Sequence, residues 1–192
     1  MKHPIIQITY KNEFVDFVNY WSELYFYEFS DKYNSRIKKE IFSEEDLSEL
    51  YFWKNGMRLS GPKLNSFNVK ILAKLEIINN FKISSNFKIH EFHYEFREVS
   101  FVWQIFLLHL IKPNEFPIYD QHIHRAFLYL NNLDWSNIGA ALHPDLKAEF
   151  YFKTYLPFIN KNNKIKIKMI DEAMFTFGKF INTDKQYKIF NS

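Results

Sequence analysis

From Phe116 to Ala126 the chain reads FPIYDQHIHRA, which sets a carboxylate (Asp120), two imidazoles (His122 and His124) and a guanidinium (Arg125) in one short stretch. Pro117 keeps the connection extended, so Asp120 falls where a helix begins. A carboxylate there stays charged even beside an apolar wall, because the orphan N–H groups and the helix dipole favour its anion. Such a group can stabilise a developing cation or orient a water; equally, it can do no more than cap, an interaction worth about 0.5–2 kcal/mol. His122 and His124 stand at i and i+2 and diverge by about 200° around a helix, which makes them a poor metal pair, although either could bond the carboxylate. A separate reading enlists His90 and His93 of HEFH, two metal ligands at i,i+3 with Glu91 or Glu95 beside them, and so a metal-dependent hydrolase. Arg125 suits a phosphate or an acidic partner. His109, inside an apolar run, reads as a satisfied core histidine.

These groups need elements to hold them. Phe101 to Ile111 (FVWQIFLLHLI) is apolar nearly all round and is stopped by Pro113, as expected of a core helix. Ile123, Ala126, Phe127 and Leu130 recur at helical spacing, so Gln121 to about Asn131 forms a second helix with Asp120 as its N-cap. An aromatic stripe predicts a long helix over Asn12 to Phe29, Ser43 and Gly56 bracket one over Glu44 to Asn55, and three- and four-residue spacing predicts another over Leu64 to Asn80. Shorter helices are expected over Ile89 to Arg97 and from Pro144 to about Tyr155, and a last one over Ile170 to Ile181. Strand signals are confined to Ile5 to Thr9 and the Ile165–Ile167 alternation. The pattern predicts one all-α domain built around the 101–111 helix.

At 192 residues and 47% hydrophobic content the chain can bury one sizeable core. It has no cysteine, which excludes disulfides, thiolate metal sites, cysteine nucleophiles and cysteine-bound iron-sulfur clusters. No signal peptide is expected, and the longest apolar run falls short of the roughly 20 residues a membrane span needs, so a soluble cytoplasmic protein with no membrane partner is expected. The net charge is only +3, yet residues 141–192 hold nine lysines against five acids. KNNKIKIK (161–168) concentrates four of them, and Lys164, Lys166 and Lys168 are candidate phosphate contacts; the alternative is a solvated connector. Aromatic residues make up 20% of the chain, but A/T-rich codons favour Phe, Tyr, Ile, Lys and Asn together. Position, not abundance, has to identify a stacking surface.

An apolar helix, a short link with proline and then PIYDQHIHRA resembles the second half of the helix-hairpin-helix DNA glycosylase signature, where P-V-D-T-H-V-x-R follows a long apolar helix. Asp120 matches the family's aspartate, His122 its histidine and Arg125 its arginine. The closing segment IDEAMFTFGKFI and the WKNG at Trp53–Gly56 are similar to short bacterial members of the wider superfamily, and the specific match covers residues 97–130. The resemblance implies an all-α, two-lobed fold with a nucleotide flipped into the cleft, DNA more than RNA as partner, and no cofactor. It implies Asp120, helped by His122, as the group that stabilises the sugar oxocarbenium or positions the nucleophile. Arg97, Ser100 and Arg125 join the three lysines as expected nucleic-acid contacts. Two features depart from the family. The glycine-rich hairpin is replaced by Glu95-Phe96-Arg97-Glu98-Val99-Ser100, and no glycine occurs between Gly61 and Gly139. Val99, Ser100 and Phe101 occupy the region of the Schiff-base lysine, so monofunctional hydrolysis is expected. The competing expectation is a catalytically inactive member that binds nucleic acid or another partner.

Overall fold

A computed structural model of the chain describes residues 13–135 and 142–183, and among these there is no strand. The order is α1 (Phe14–Glu23), α2 (Ser30–Asn34), α3 (Glu44–Asn55), α4 (Gly61–Lys70), α5 (Leu75–Ile83), α6 (Ile89–Glu95), α7 (Phe101–Ile111), α8 (Gln121–Leu130), α9 (Pro144–Glu149), α10 (Leu156–Lys161) and α11 (Ile167–Asn182). No helix among the described residues is long and apolar enough to cross a membrane.

α7 occupies the place its composition demands, with every residue from Ile105 to Ile111 buried. His109 is neutral and satisfied inside it. The Tyr33 hydroxyl donates to its Nε2 (2.6 Å), its Nδ1 donates to the Phe116 carbonyl (2.7 Å), and burial pulls its pKa down to about 4. α1 and α8 both pack on α11. The α8–α11 crossing is close: a Cβ on Gly178 would stand 2.0 Å from the His122 carbonyl oxygen, so only glycine fits there.

Four expected elements differ in detail. The aromatic helix ends at Glu23, and the chain turns so that Tyr25 and Tyr27 leave the stripe before α2 begins. The predicted 64–80 helix breaks at Ile71 (φ −121°) into α4, a 3-10 turn at Leu72–Lys74 and α5. Ile71 and Ile78 stay fully buried across the break, because a single tighter turn redirects the axis without disturbing three- and four-residue spacing. The helix from Pro144 runs on past Tyr155 through a widened π turn (Phe150–Tyr155) into α10. The wider turn accommodates Pro157, which has no N–H to give and whose ring would crowd a regular one. The Ile165–Ile167 alternation is no strand: Ile167 opens α11, and both isoleucines lean on the core at its entry. Ile5 to Thr9 lies outside the described residues.

The α6–α7 turn forms without glycine. None of its residues has a positive φ, and the Gln104 side chain donates to the carbonyls of Phe96 (2.9 Å) and Val99 (2.8 Å). The amides of Phe96 and Val99 are used within the turn and its helix, on Phe92 and Phe96 oxygens. Lys70 Nζ adds a bond from α4 to the Glu98 carbonyl (3.0 Å).

Candidate active site

The α7–α8 linker is pinned by side chains from three distant helices. Tyr151 donates its hydroxyl to the Pro117 carbonyl (2.8 Å), the Ile118 amide donates to Asp171 Oδ2 (2.9 Å), and Lys54 Nζ donates to the Tyr119 carbonyl (3.0 Å). Asp120 follows in extended conformation (φ −153°) and caps α8, its Oδ1 accepting from the amides of His122 (2.8 Å) and Ile123 (2.9 Å). Its other oxygen, Oδ2, lies 4.0 Å from Lys54 Nζ, and the side chain remains one-fifth exposed (20%). One oxygen is therefore fixed by the helix and the other is left to the surroundings.

Those surroundings are a pocket that encloses about 680 Å³, including the solvent at its mouth. Its walls are aromatic: Tyr25 and Tyr27 from the chain after α1, Tyr33 from α2, Trp53 from α3 and Phe175 from α11. Gly56 explains part of this arrangement. Its left-handed conformation (φ 74°) ends α3, its amide donates to the Trp53 carbonyl (3.2 Å), and the Tyr27 hydroxyl donates to the same carbonyl (2.9 Å), where a Cβ on Gly56 would crowd that hydroxyl at 2.9 Å. Tyr27 and Tyr33 then stand against the Trp53 ring at centroid distances of 5.7 and 4.5 Å.

The polar groups of the pocket are Lys54, Asp120 and Asp171, with Lys168 and Glu172 beside them. Burial lowers the Lys54 pKa, against the opposing pull of Asp120 and Asp171. Burial pushes Asp171 well above the usual carboxylate range, although the Ile118 amide and the Tyr155 hydroxyl (3.2 Å) favour its anion. Burial thus disfavours the charged form of Asp171, while Asp120 Oδ2 lies 4.0 Å from Lys54 Nζ. This set places a carboxylate at the wall of a ring-lined pocket, where it can meet an electron-poor atom.

The residues expected from sequence are not all gathered here. Asp120 and Lys168 line the pocket; His122 does not. The His122 ring is half-buried against Phe175 (5.4 Å), accepts from Arg125 Nη1 (3.0 Å) and has its pKa lowered by burial. Only its backbone amide reaches Asp120. His124 does not bond the carboxylate either: it stacks on Phe150 (3.6 Å) and is hydrogen-bonded to the Tyr119 hydroxyl (2.9 Å). Arg125, expected on a phosphate, is 3% exposed, and its Nη1 also donates to the Gly178 carbonyl (3.2 Å); the side chain ties α8 to α11. Arg97 and Ser100 are exposed at the α6–α7 turn and line no part of the pocket, with Arg97 folded over Tyr94. Lys164 is exposed and also lies outside it. His90 is exposed and His93 packs edge-on against Phe152; among the described residues no three His, Asp or Glu side chains gather as a metal cluster.

Sequence reading missed Lys54 and Asp171 as partners of Asp120. Asp171 left a signal, since it sits with Ile170, Met174 and Gly178 on the buried face of α11, where an unpartnered acid does not belong. Lys54 lies in the WKNG segment but carried no spacing relation to Asp120. Comparison of the chain with family models, curated proteins and solved structures finds no match.

Proposed function

We propose that the chain is a DNA glycosylase-like protein in which a nucleotide turned out of the helix enters the aromatic pocket and Asp120 assists hydrolysis of its N-glycosidic bond. As the bond between base and sugar lengthens, its electron pair leaves with the base and positive charge builds on the sugar ring. Water then adds its hydroxide to that carbon, and its proton ends on the departing base. An anion fixed before the charge appears lowers the barrier, because no reorganisation is needed at the moment of reaction. Supporting this reading is the state of Asp120: Oδ1 is held by two amides while the side chain stays partly open at the wall of a ring-lined pocket. The resemblance of PIYDQHIHRA to the glycosylase signature adds to it. In this account His122 acts through its backbone amide, which holds Asp120 in place.

The test is base release from duplexes carrying oxidised, alkylated, deaminated or mispaired bases. Asp120→Asn keeps a capping oxygen but removes the charge, and a loss of roughly 100-fold or more is expected. Release that is unchanged in Asp120→Asn, or no release from any duplex by the wild-type protein, would overturn the hydrolytic mechanism. One observation favours a second reading, in which the fold binds a nucleotide without cleaving it: Lys54 sits 4.0 Å from Asp120 Oδ2 and offsets part of its charge. Nucleotide binding that persists in both proteins without turnover would support that reading.

A further inference from the structure

The pocket continues into a broader groove that shares Tyr33, Asn34 and Lys168 with it and encloses about 2290 Å³, including open solvent. Its lining includes the chain after α2, with Lys38 and Lys39, and the entry and first turn of α11, with Lys166 and Lys168. All four lysines are exposed, and Glu40 is the single acid among the residues that line the groove. Their partners are few. Lys39 reaches Asp46 Oδ1 (2.7 Å), and Lys168 reaches Asn34 Oδ1 (2.8 Å) and Glu172 (3.6 Å). Lys38 and Lys166 form no ion pair among the described residues. Lys82 adds a fifth cation to the lining, its ammonium held by the carbonyls of Ile37 (3.3 Å) and Leu110 (2.7 Å).

Like charges lining one concavity repel, and the arrangement is relieved when a polyanion lies among them. A membrane surface is flat and would meet a convex basic face, whereas lysines from two remote segments lining one groove fit a charged chain that lies in it. The groove also adjoins a ring-lined pocket, with Tyr33, Asn34 and Lys168 between them, a combination that suits a nucleic-acid strand: phosphates along the groove and one base turned aside. The α6–α7 turn uses its Phe96 and Val99 amides internally.

We propose that this groove binds the sugar-phosphate backbone flanking the nucleotide in the pocket, gripped by Lys38 and Lys39 together with Lys166 and Lys168. The proposal rests on the reading that the pocket takes a nucleotide, and its test separates the two. Binding of a fluorescently labelled single-stranded oligonucleotide and of a duplex is measured by anisotropy across a salt series, for wild type, Lys38→Glu/Lys166→Glu, Arg97→Glu and Asp120→Asn. The double groove variant should weaken binding at low salt by at least 30-fold, and the slope of log affinity against log salt should shrink by about 2, one for each lost phosphate contact. Arg97→Glu should change affinity less than twofold. Asp120→Asn should leave the salt slope unchanged, so that binding by the groove can stand even if base release fails. Equal weakening by Arg97→Glu and the groove variant would move the grip to the α6–α7 turn and overturn the proposal. Binding to phosphatidylserine vesicles but to neither oligonucleotide would overturn it in favour of a membrane surface, and absence of salt-dependent binding to any of these probes would overturn it outright. Circular dichroism checks that each exposed-lysine variant is folded.

Discussion

The two ends of α7 are both short connectors, and they are built in opposite ways. At its start, the turn from α6 is fastened mainly from nearby: Gln104 takes two of its carbonyls and the Phe96 and Val99 amides are used locally, with Lys70 adding a bond to the Glu98 carbonyl (3.0 Å). At its end, the linker to α8 makes its key bonds with side chains remote in sequence, Lys54, Tyr151 and Asp171. The turn fastened mainly by its neighbours is a structural joint. The linker held from outside brings Asp120 to the place where α3, α8 and α11 meet, and the aromatic walls there come from the chain after α1 and from α2, α3 and α11. A connector fastened chiefly by distant groups takes its place from the tertiary structure, whereas one fastened chiefly by its neighbours takes it from the local chain.

The largest expected effect breaks the linker side. Gly178→Ala drives a methyl into the His122 carbonyl and must push α8 from α11, with a cost of about 3 kcal/mol or more in denaturant unfolding, because backbone cannot yield as a flexible side chain can. A change under about 1 kcal/mol would show the crossing to be looser than described. Next is Asp120→Asn, with its roughly 100-fold loss of base release and a stability change below about 1 kcal/mol, since asparagine caps nearly as well.

An acid titration probes the core beneath both ends. His109 has a pKa of about 4 in the fold against 6.5 as its ordinary value, so its contribution is full above pH 6.5 and is lost as pH falls toward 4. For a fully enclosed ring the loss is roughly 3 kcal/mol, read from unfolding curves between pH 7 and pH 4, and His109→Gln should flatten that slope. Asp171 acts with the opposite sign: its raised pKa gives stability that is present at low pH and lost as pH rises through the folded value. Asp171→Asn should remove this decline. The smallest effect sharpens the comparison from the other end. Gln104→Ala leaves the Val99 carbonyl without its side-chain donor and the Phe96 carbonyl with only the Val99 amide, costing about 1–2 kcal/mol in unfolding measurements while base release at saturating substrate stays unchanged.

The helices were legible where one face decides them. α3 was marked by Ser43 and Gly56, α7 by its unbroken apolar run and α8 by Asp120 with the stripe behind it, because caps and burial act over one or two turns and leave their signature in adjacent residues. The break at Ile71 and the π turn before Pro157 were not legible, since neither alters the spacing of buried residues enough to show. For the site, the carboxylate was found and its company was not. His122 and Arg125 stood close in sequence, yet the α8–α11 crossing turns them toward each other and Gly178. The groups that do surround Asp120 come from Lys54 and Asp171, more than 50 positions away on either side.

The sequence by itself determined an all-helical chain with a buried α7 and an aspartate heading α8. These follow from local rules of capping and periodicity that act between neighbours along the chain. Only the tertiary structure decided which side chains meet that aspartate, that its second oxygen faces an aromatic pocket, and that lysines from two remote segments border one groove. Proximity through space depends on how helices cross, and the crossing is set by packing across the whole core, by contacts such as Gly178 against His122 that no local pattern announces.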